Sequence, residues 1–219
     1  MLARMTTIGI IGSGHVGASL ARAAIAHGYA VVIANSTGPA SLASLVRELG
    51  PRARAATPGE AAAAGDFAIV AIPLSGAGQL PADALAGKVV LVTTNYFAQR
   101  EGPVADLDDG KATVPGLFQD RLPGSKVARA FSMVDAADMS GDGHPAGDPR
   151  RRALALAADD PGAQELATRV YHEFGFDAVD LGGLDQAWRV DPGQPAFVVR
   201  QDVAELTANA ARAIPPAAG

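Results

Sequence analysis

Residues 6–36 read TTIGIIGSGHVGASLARAAIAHGYAVVIANS, and their succession of strand, glycine turn, helix and strand decides the fold. Ile8 to Ile11 is a short β-branched apolar run of the kind a buried parallel strand requires. Gly12, Gly14 and Gly17 follow as G-x-G-x-x-G. The first glycine permits a tight turn, the second lets a pyrophosphate approach the backbone, and the third lets the helix pack closely on the strand. The free N–H groups and positive dipole end of that helix suit phosphate. Val16, Leu20 and Ala24 share one helical face, Gly28 suits the C-cap, and Ala30 to Ile33 forms the second strand. The complete βαβ context predicts a dinucleotide site; the plainer alternative is a tight βα turn that binds nothing.

The end of the second strand discriminates between dinucleotides. An NAD site usually places Asp or Glu there, bonded to the ribose 2′-hydroxyl. This chain has Asn35-Ser36-Thr37-Gly38. No carboxylate repels a 2′-phosphate, and three small side chains can donate to one, which favours NADP. Arg47 and Arg52 lie nearby in sequence and read as solvated surface charges.

Composition sets the bounds. The chain has 219 residues, 48% of them hydrophobic but only 5% aromatic, so the core must be built from Ala, Val, Leu and Ile. That length fits one large domain, or one with a small appendage. A formal charge of −5 with no basic run argues against nucleic acid or an anionic membrane as a main partner. There is no Cys, hence no disulfide, thiol nucleophile or iron–sulfur cluster. His15, His27, His144 and His172 show no metal-ligand spacing, so no metal site is expected. No apolar run is long enough to span a membrane and no signal peptide is evident, so a cytoplasmic location is expected.

Strands and helices alternate onward: helix 39–49, strand 52–56, helix 58–64, strand 66–72, helix 75–86, strand 88–93 and strand 127–131. Residues 99–111 are polar and acidic and read as a mobile surface loop. Asp138 to Arg152 is rich in Gly, Asp and Pro, a loop that serves as a lid or as a passive connection. Strand 153–158, helix 161–174, strand 176–181 and a terminal helix 196–213 complete the pattern. The expected fold class is α/β, a doubly wound, Rossmann-type, mostly parallel sheet with a small C-terminal α/β extension. Residues 1–131 are the expected NADP-binding domain. Residues 132–219 are expected to extend the same sheet, cover its carboxyl edge, bind the acceptor and offer a dimer surface.

Beyond the fingerprint, seven segments resemble the coenzyme F420:NADP oxidoreductases: GSGHVGASLARAAIAHGYAV (12–31), NSTGP (35–39), AIP (71–73), GKVVLVTTNYF (87–97), ARAFSMV (128–134), GDPRRRALALAADD (147–160) and GFDAVDLGGLDQAWR (175–189). The same module is similar to the cytosolic domain of membrane ferric reductases of the STEAP type, whose membrane half has no counterpart here. The resemblance implies pyrophosphate binding by Gly12, Ser13, Gly14, His15, Val16 and Gly17, and 2′-phosphate binding by Asn35, Ser36 and Thr37. It implies that Ala71, Ile72 and Pro73 flank a ribose and that Asn95 borders the nicotinamide. A deazaflavin ring would be enclosed by Phe131, Ser132, Met133, Gly182, Gly183 and Leu184. Relatives often carry Arg at Thr37, Asn at Ser132 and Pro at Gly183. A homodimer is the implied assembly.

Hydride transfer between stacked heterocycles asks little of side chains beyond proximity and exclusion of water, so no catalytic residue is expected. Tyr29, Tyr96 and Tyr171 lack a Lys four residues on, which removes the short-chain dehydrogenase pair. His15 either touches phosphate or is a tolerated turn residue. Trp188 either stacks on an acceptor or packs in the core, and Arg150 to Arg152 either bind an acidic coenzyme tail or form a solvated turn. Asp159-Asp160 reads as a strand-end turn and helix cap. The expected activity is hydride transfer between NADPH and coenzyme F420 or a similar flat acceptor. A flavin or ferric reductase, or a small-molecule (imine or carbonyl) reductase, is one alternative, the small-molecule reductase having His144 or Tyr96 as its proton donor. A non-catalytic dinucleotide sensor is the other.

Overall fold

The computed structural model describes residues 5–216, so residues 1–4 and 217–219 of the two expected domains lie outside the described residues. Eight strands form one sheet in the order β3-β2-β1-β4-β5-β6-β7-β8. They are β1 Thr7–Ile11, β2 Ala30–Ala34, β3 Ala53–Ala55, β4 Phe67–Val70, β5 Val89–Val92, β6 Lys126–Arg129, β7 Ala153–Ala158 and β8 Asp177–Asp180. The first six are mutually parallel. β7 runs antiparallel to β6, and β8 runs parallel to β7. The fold is therefore the doubly wound α/β sheet expected, with β2 and β4 on opposite sides of β1. The order of strands across the sheet reverses at β1, and ligands bind outside the carboxyl ends of strands at such a switch point.

The principal helices are α1 His15–Ala26, α2 Ala43–Leu49, α3 Pro58–Ala64, α4 Val114–Arg121, α5 Pro161–Glu173 and α6 Val203–Ala211. Close approach of helix to strand rests on missing side chains. A Cβ on Gly9 would stand 2.3 Å from the Ala61 carbonyl oxygen of α3. At the C-terminal end of α3, the Lys88 ammonium donates to the carbonyls of Ala62, Ala63 and Gly65 at 2.6, 2.9 and 2.6 Å, a cation placed at the negative dipole end.

Several expected elements change. The helix expected over 75–86 is a 3-10 segment, Leu74–Gln79, and a single turn, Ala82–Leu85. Pro81 lacks an N–H and forces Leu80 into an extended conformation (ψ 140°). The expected mobile loop 99–111 contains helical turns at Ala98–Glu101 and Ala105–Asp108. Tyr96 organises them: its one hydroxyl hydrogen is shared between the Gly102 carbonyl and the Asp108 carboxylate, and its oxygen accepts from the Val104 N–H. Helix α4 was not expected at all, because Pro115 and Gly116 disguise it. Pro115 sits in its first turn, and the Thr113 hydroxyl caps it through the Gly116 N–H. The terminal helix begins only at Val203, where Asp202 and Glu205 form a capping box.

One buried cation ties the carboxyl end of this sheet together. Arg129, the last residue of β6, is 1% exposed. Its guanidinium donates to Ser132 Oγ (2.6 Å), Asn95 Oδ1 (2.9 Å), the Ala187 carbonyl (3.2 Å) and the Asp191 carboxylate. Two residues later Phe131 adopts φ 55°. Its N–H donates to the Tyr171 hydroxyl, which in turn donates to the Ala155 carbonyl, both at 2.8 Å. Burial raises the pKa of Tyr171, so the phenol keeps the proton this relay uses.

Two stability outcomes follow. Gly9→Ala should cost about 1–3 kcal/mol in urea unfolding because α3 must move off β1; Gly59→Ala, whose Cβ meets nothing within 4 Å, should change stability by less than about 1 kcal/mol. Arg129→Met strands Asp191 and the buried acceptors and should cost about 3–5 kcal/mol. Arg22→Met, which breaks the exposed pair with Glu48, should leave the unfolding midpoint nearly unchanged.

Candidate functional site

The carboxyl edge of the sheet carries a cleft in two lobes around the turn between β1 and α1. One lobe, about 550 Å³, is lined by Gly12, Ser13, Gly14, Asn35, Ser36, Thr37, Ala71, Ile72 and Pro73, with Pro58 and Ser75 to one side. The other, about 570 Å³, is lined by Gly14, His15, Val16, Ala71, Ile72, Pro73, Asn95 and Ser132, and by Phe97, Arg100, Glu101, Asp135, Phe197 and Val198. Gly14, Ala71, Ile72 and Pro73 border both lobes, so a molecule crossing the glycine turn can occupy both.

The three fingerprint glycines divide their roles as the turn chemistry requires. Gly12 has φ 109°, and a Cβ there would stand 2.1 Å from the Ala71 carbonyl oxygen. A Cβ on Gly17 would lie 1.9 Å from the Gly12 carbonyl oxygen. Gly14 is different, because nothing lies within 4 Å of its Cβ position. The open side of the turn is therefore at Gly14. Gly14 is also the N-cap of α1 and supplies no side-chain bond to the first-turn amides, so these remain available to an anion. His15 is exposed at the first helical position.

At the end of β2, Asn35 builds the loop. Its Oδ1 accepts from the N–H groups of Thr37 (3.1 Å) and Gly38 (2.9 Å), an Asx turn. Its Nδ2 donates to Ser13 Oγ (3.1 Å) and Ser41 Oγ (2.9 Å), which joins this loop to the glycine turn. Ser36 and Thr37 are exposed. A bound dinucleotide would find neutral donors here and no carboxylate. Vacant backbone surface at Gly14, free helix amides and this loop together fit a phosphorylated dinucleotide.

The expected acceptor residues separate into two places. Ser132 lines the second lobe, and its carbonyl accepts from Asn95 Nδ2 at 2.6 Å. Phe131 and Met133 are 1% and 0% exposed and point into the core; Phe131 packs edge-on against Tyr171. Gly182, Gly183 and Leu184 are at the opposite edge. β7 runs against β6, so its end lies beside the start of β6, where Asp160 meets Lys126 at 3.1 Å. The Ala158 N–H donates to the Gly182 carbonyl there, and Asp159 accepts from the Leu184 N–H. Leu184 borders a separate cavity with Asp159, Asp185 and Trp188. Asp160 caps α5 through the Ala163 N–H.

The 138–152 segment is irregular but anchored. Arg151 and Arg152 are 7% and 3% exposed. Arg151 is committed to Asp177 and the Phe176 carbonyl, and Arg152 to Asp138 and the Val199 carbonyl. Neither is free for an acidic coenzyme tail. His144 lies between Asp142 and Asp148 at 3.8 and 3.9 Å, away from the cleft. Burial and Asp108 raise the pKa of Tyr96, whose hydroxyl is engaged in the 98–108 turns. The titratable groups that line the second lobe are instead His15, Arg100, Glu101 and Asp135. Phe97, Phe197 and Glu101 could not be found from sequence, because nothing local marks residues that meet only after the chain crosses the sheet. Among the described residues no group of His, Asp and Glu could hold a metal ion, and no helix is long and apolar enough to cross a membrane.

Comparison with known proteins agrees with this geometry. Residues 7–96 match the family described as NADP oxidoreductase, coenzyme F420-dependent. Comparison with curated proteins gives no match. Among solved structures, the hypothetical protein SMa0349 from Sinorhizobium meliloti is 27% identical with a TM-score of 0.78, over 90% of this chain and 95% of that one. A proposed F420-dependent NADP reductase from Arthrobacter sp. FB24 is 23% identical with a TM-score of 0.70, over 84% of this chain and 87% of that one. An imine reductase from Myxococcus stipitatus, in complex with NAD+, shares the fold at 17% identity and a TM-score of 0.56; this chain covers 59% of it. The family match spans residues 7–96, which carry the glycine turn, the Asn35 loop and Asn95.

Proposed function

We propose that this NADP-dependent oxidoreductase passes hydride between NADPH and a flat, conjugated acceptor, with the deazaflavin coenzyme F420 as the first candidate. The observation that carries the reading is the two-lobed cleft, which crosses the glycine turn at Gly14 and ends at Asn95 and Ser132. NADPH supplies the hydride when bound. The chain's own contribution is to hold and orient. Helix α1 faces the pyrophosphate, and Ser36 and Thr37 offer hydroxyls to the 2′-phosphate. Ala71, Ile72 and Pro73 form the ridge between the lobes.

Asn95 has a defined polarity in this reading. Arg129 can only donate, so Asn95 must turn Oδ1 toward it and Nδ2 toward the Ser132 carbonyl. The hydrogen left on Nδ2 makes Asn95 a donor toward the nicotinamide side of the cleft. That suits the carboxamide oxygen of a nicotinamide. The reading also carries a cytoplasmic homodimer, on the family resemblance.

NADPH absorbance followed with purified protein should fall on addition of oxidised F420, and much faster than with FMN or FAD. NADH in place of NADPH should give a slower reaction. Turnover confined to FMN or FAD would make the protein a flavin reductase on the same scaffold. Tight NADPH binding without oxidation by any of the three would favour the sensor reading. Cofactor choice has its own test in the β2 loop. Ser36→Asp should weaken NADPH binding about tenfold or more while sparing NADH, and Thr37→Arg should tighten NADPH binding by a similar factor, both measured by fluorescence titration.

A further inference from the structure

The nicotinamide-side lobe has a wall that no function has yet claimed. Phe97 follows β5 and Phe197 precedes α6, yet their rings meet edge to face with centroids 6.3 Å apart and planes at 69°. Both are half-buried and both line the lobe, so each keeps aromatic surface toward it. Arg100 lies over the Phe97 ring at 5.5 Å. Val198, next to Phe197 in the same wall, has φ 53°. A β-branched residue in that region is held against its preference by about 1–3 kcal/mol, and such strain gathers at ligand sites.

Glu101 stands in the same wall. It borders the lobe on one side and, on the other, a smaller cavity lined by Leu74, Val104, Leu117 and Arg121. Its Oε2 is buried and has no hydrogen-bond partner. A carboxyl oxygen cut off from water and from protein donors needs a hydrogen, either its own proton or one from a ligand. The charged and titratable groups around it are Arg100 on its own turn, Arg121 across the smaller cavity, Tyr96, and His15 and Asp135 in the lobe.

We propose that the Phe97–Phe197 wall seats the acceptor, that the acceptor is a flat heterocycle with a C=N bond, and that Glu101 is a catalytic residue that protonates its nitrogen. The inference rests on the hydride-transfer reading above. As hydride from NADPH forms a C–H bond at the acceptor's electrophilic carbon, the C=N π electrons move to nitrogen. The Glu101 O–H bond breaks and an N–H bond forms. The heterocycle gains two electrons, the nicotinamide loses two, and the carboxylate regains its proton from solvent once the product has left the lobe. Both a deazaflavin and a cyclic imine satisfy this chemistry.

The test uses the full chain, saturated with NADP+, and two probes: oxidised F420 and a methylpyrroline as the cyclic imine. Binding of each is read by fluorescence or calorimetry, and NADPH turnover is read separately in water and heavy water. The wild-type complex should bind at least one probe. Phe197→Ala should weaken that binding about tenfold while leaving NADP+ affinity intact. Glu101→Gln should bind NADP+ and probe like wild type, lose about 100-fold or more in turnover, and lose the solvent isotope effect. Glu101→Asp should recover part of the rate. Binding of neither probe, or probe affinity unmoved by Phe197→Ala, overturns the seat. Full turnover in Glu101→Gln overturns its proton role. A wild-type chain that binds no NADP+ overturns the functional reading itself, a failure distinct from the other two.

Discussion

The buried guanidinium of Arg129 is the constraint on which the working edge of this protein depends. It terminates β6, reaches Asn95 after β5, and holds Asp191 and the Ala187 carbonyl of the segment that leads to Phe197. Three stretches of chain distant in sequence are thereby brought to one place. A buried cation is costly unless every donor is met, and this one is met by a carboxylate, an amide oxygen, a hydroxyl and backbone carbonyls. Satisfying Arg129 fixes the orientation of Asn95, and Asn95 holds the Ser132 backbone that borders the second lobe of the cleft.

The other half of the cleft rests on absent side chains. At Gly12 and Gly17 a Cβ would stand far inside van der Waals contact with a backbone carbonyl oxygen, whereas nothing lies within 4 Å of the Cβ position of Gly14. That contrast separates two glycines that pack from one that leaves the turn open. Asn35 then carries the effect outward, since its bonds to Ser13 and to the Thr37 and Gly38 amides set the loop and the glycine turn as one surface.

Much of this was legible in the sequence, for physical reasons. β-Branched runs such as Ile8 to Ile11 and Phe67 to Val70 have one stable use, as buried parallel strands, and the glycine spacing identifies the turn between strand and helix. Helix α4 was hidden because Pro115 and Gly116 are breakers everywhere except the first turn. The 75–86 region carried helical composition, but Pro81 divided it. Arg129, Arg151 and Arg152 look like surface charges in a sequence, since burial is decided by partners far along the chain. The acceptor side was least legible. Residues 182–184 were expected to close the cleft, but reversal of β7 relative to β6 carries them to the opposite edge, and Phe97, Glu101 and Phe197 stand at the cleft instead.

The central claim is hydride transfer within this cleft, and the most direct measurement follows the hydrogen itself. NADPH deuterated on one face of the nicotinamide would be mixed with the protein and oxidised F420 for a single turnover, and the products analysed by mass spectrometry and NMR. The account predicts deuterium on a carbon of the reduced deazaflavin from one nicotinamide face only, with none from the other. Label retained in the nicotinamide with both faces, or released into water, would contradict it.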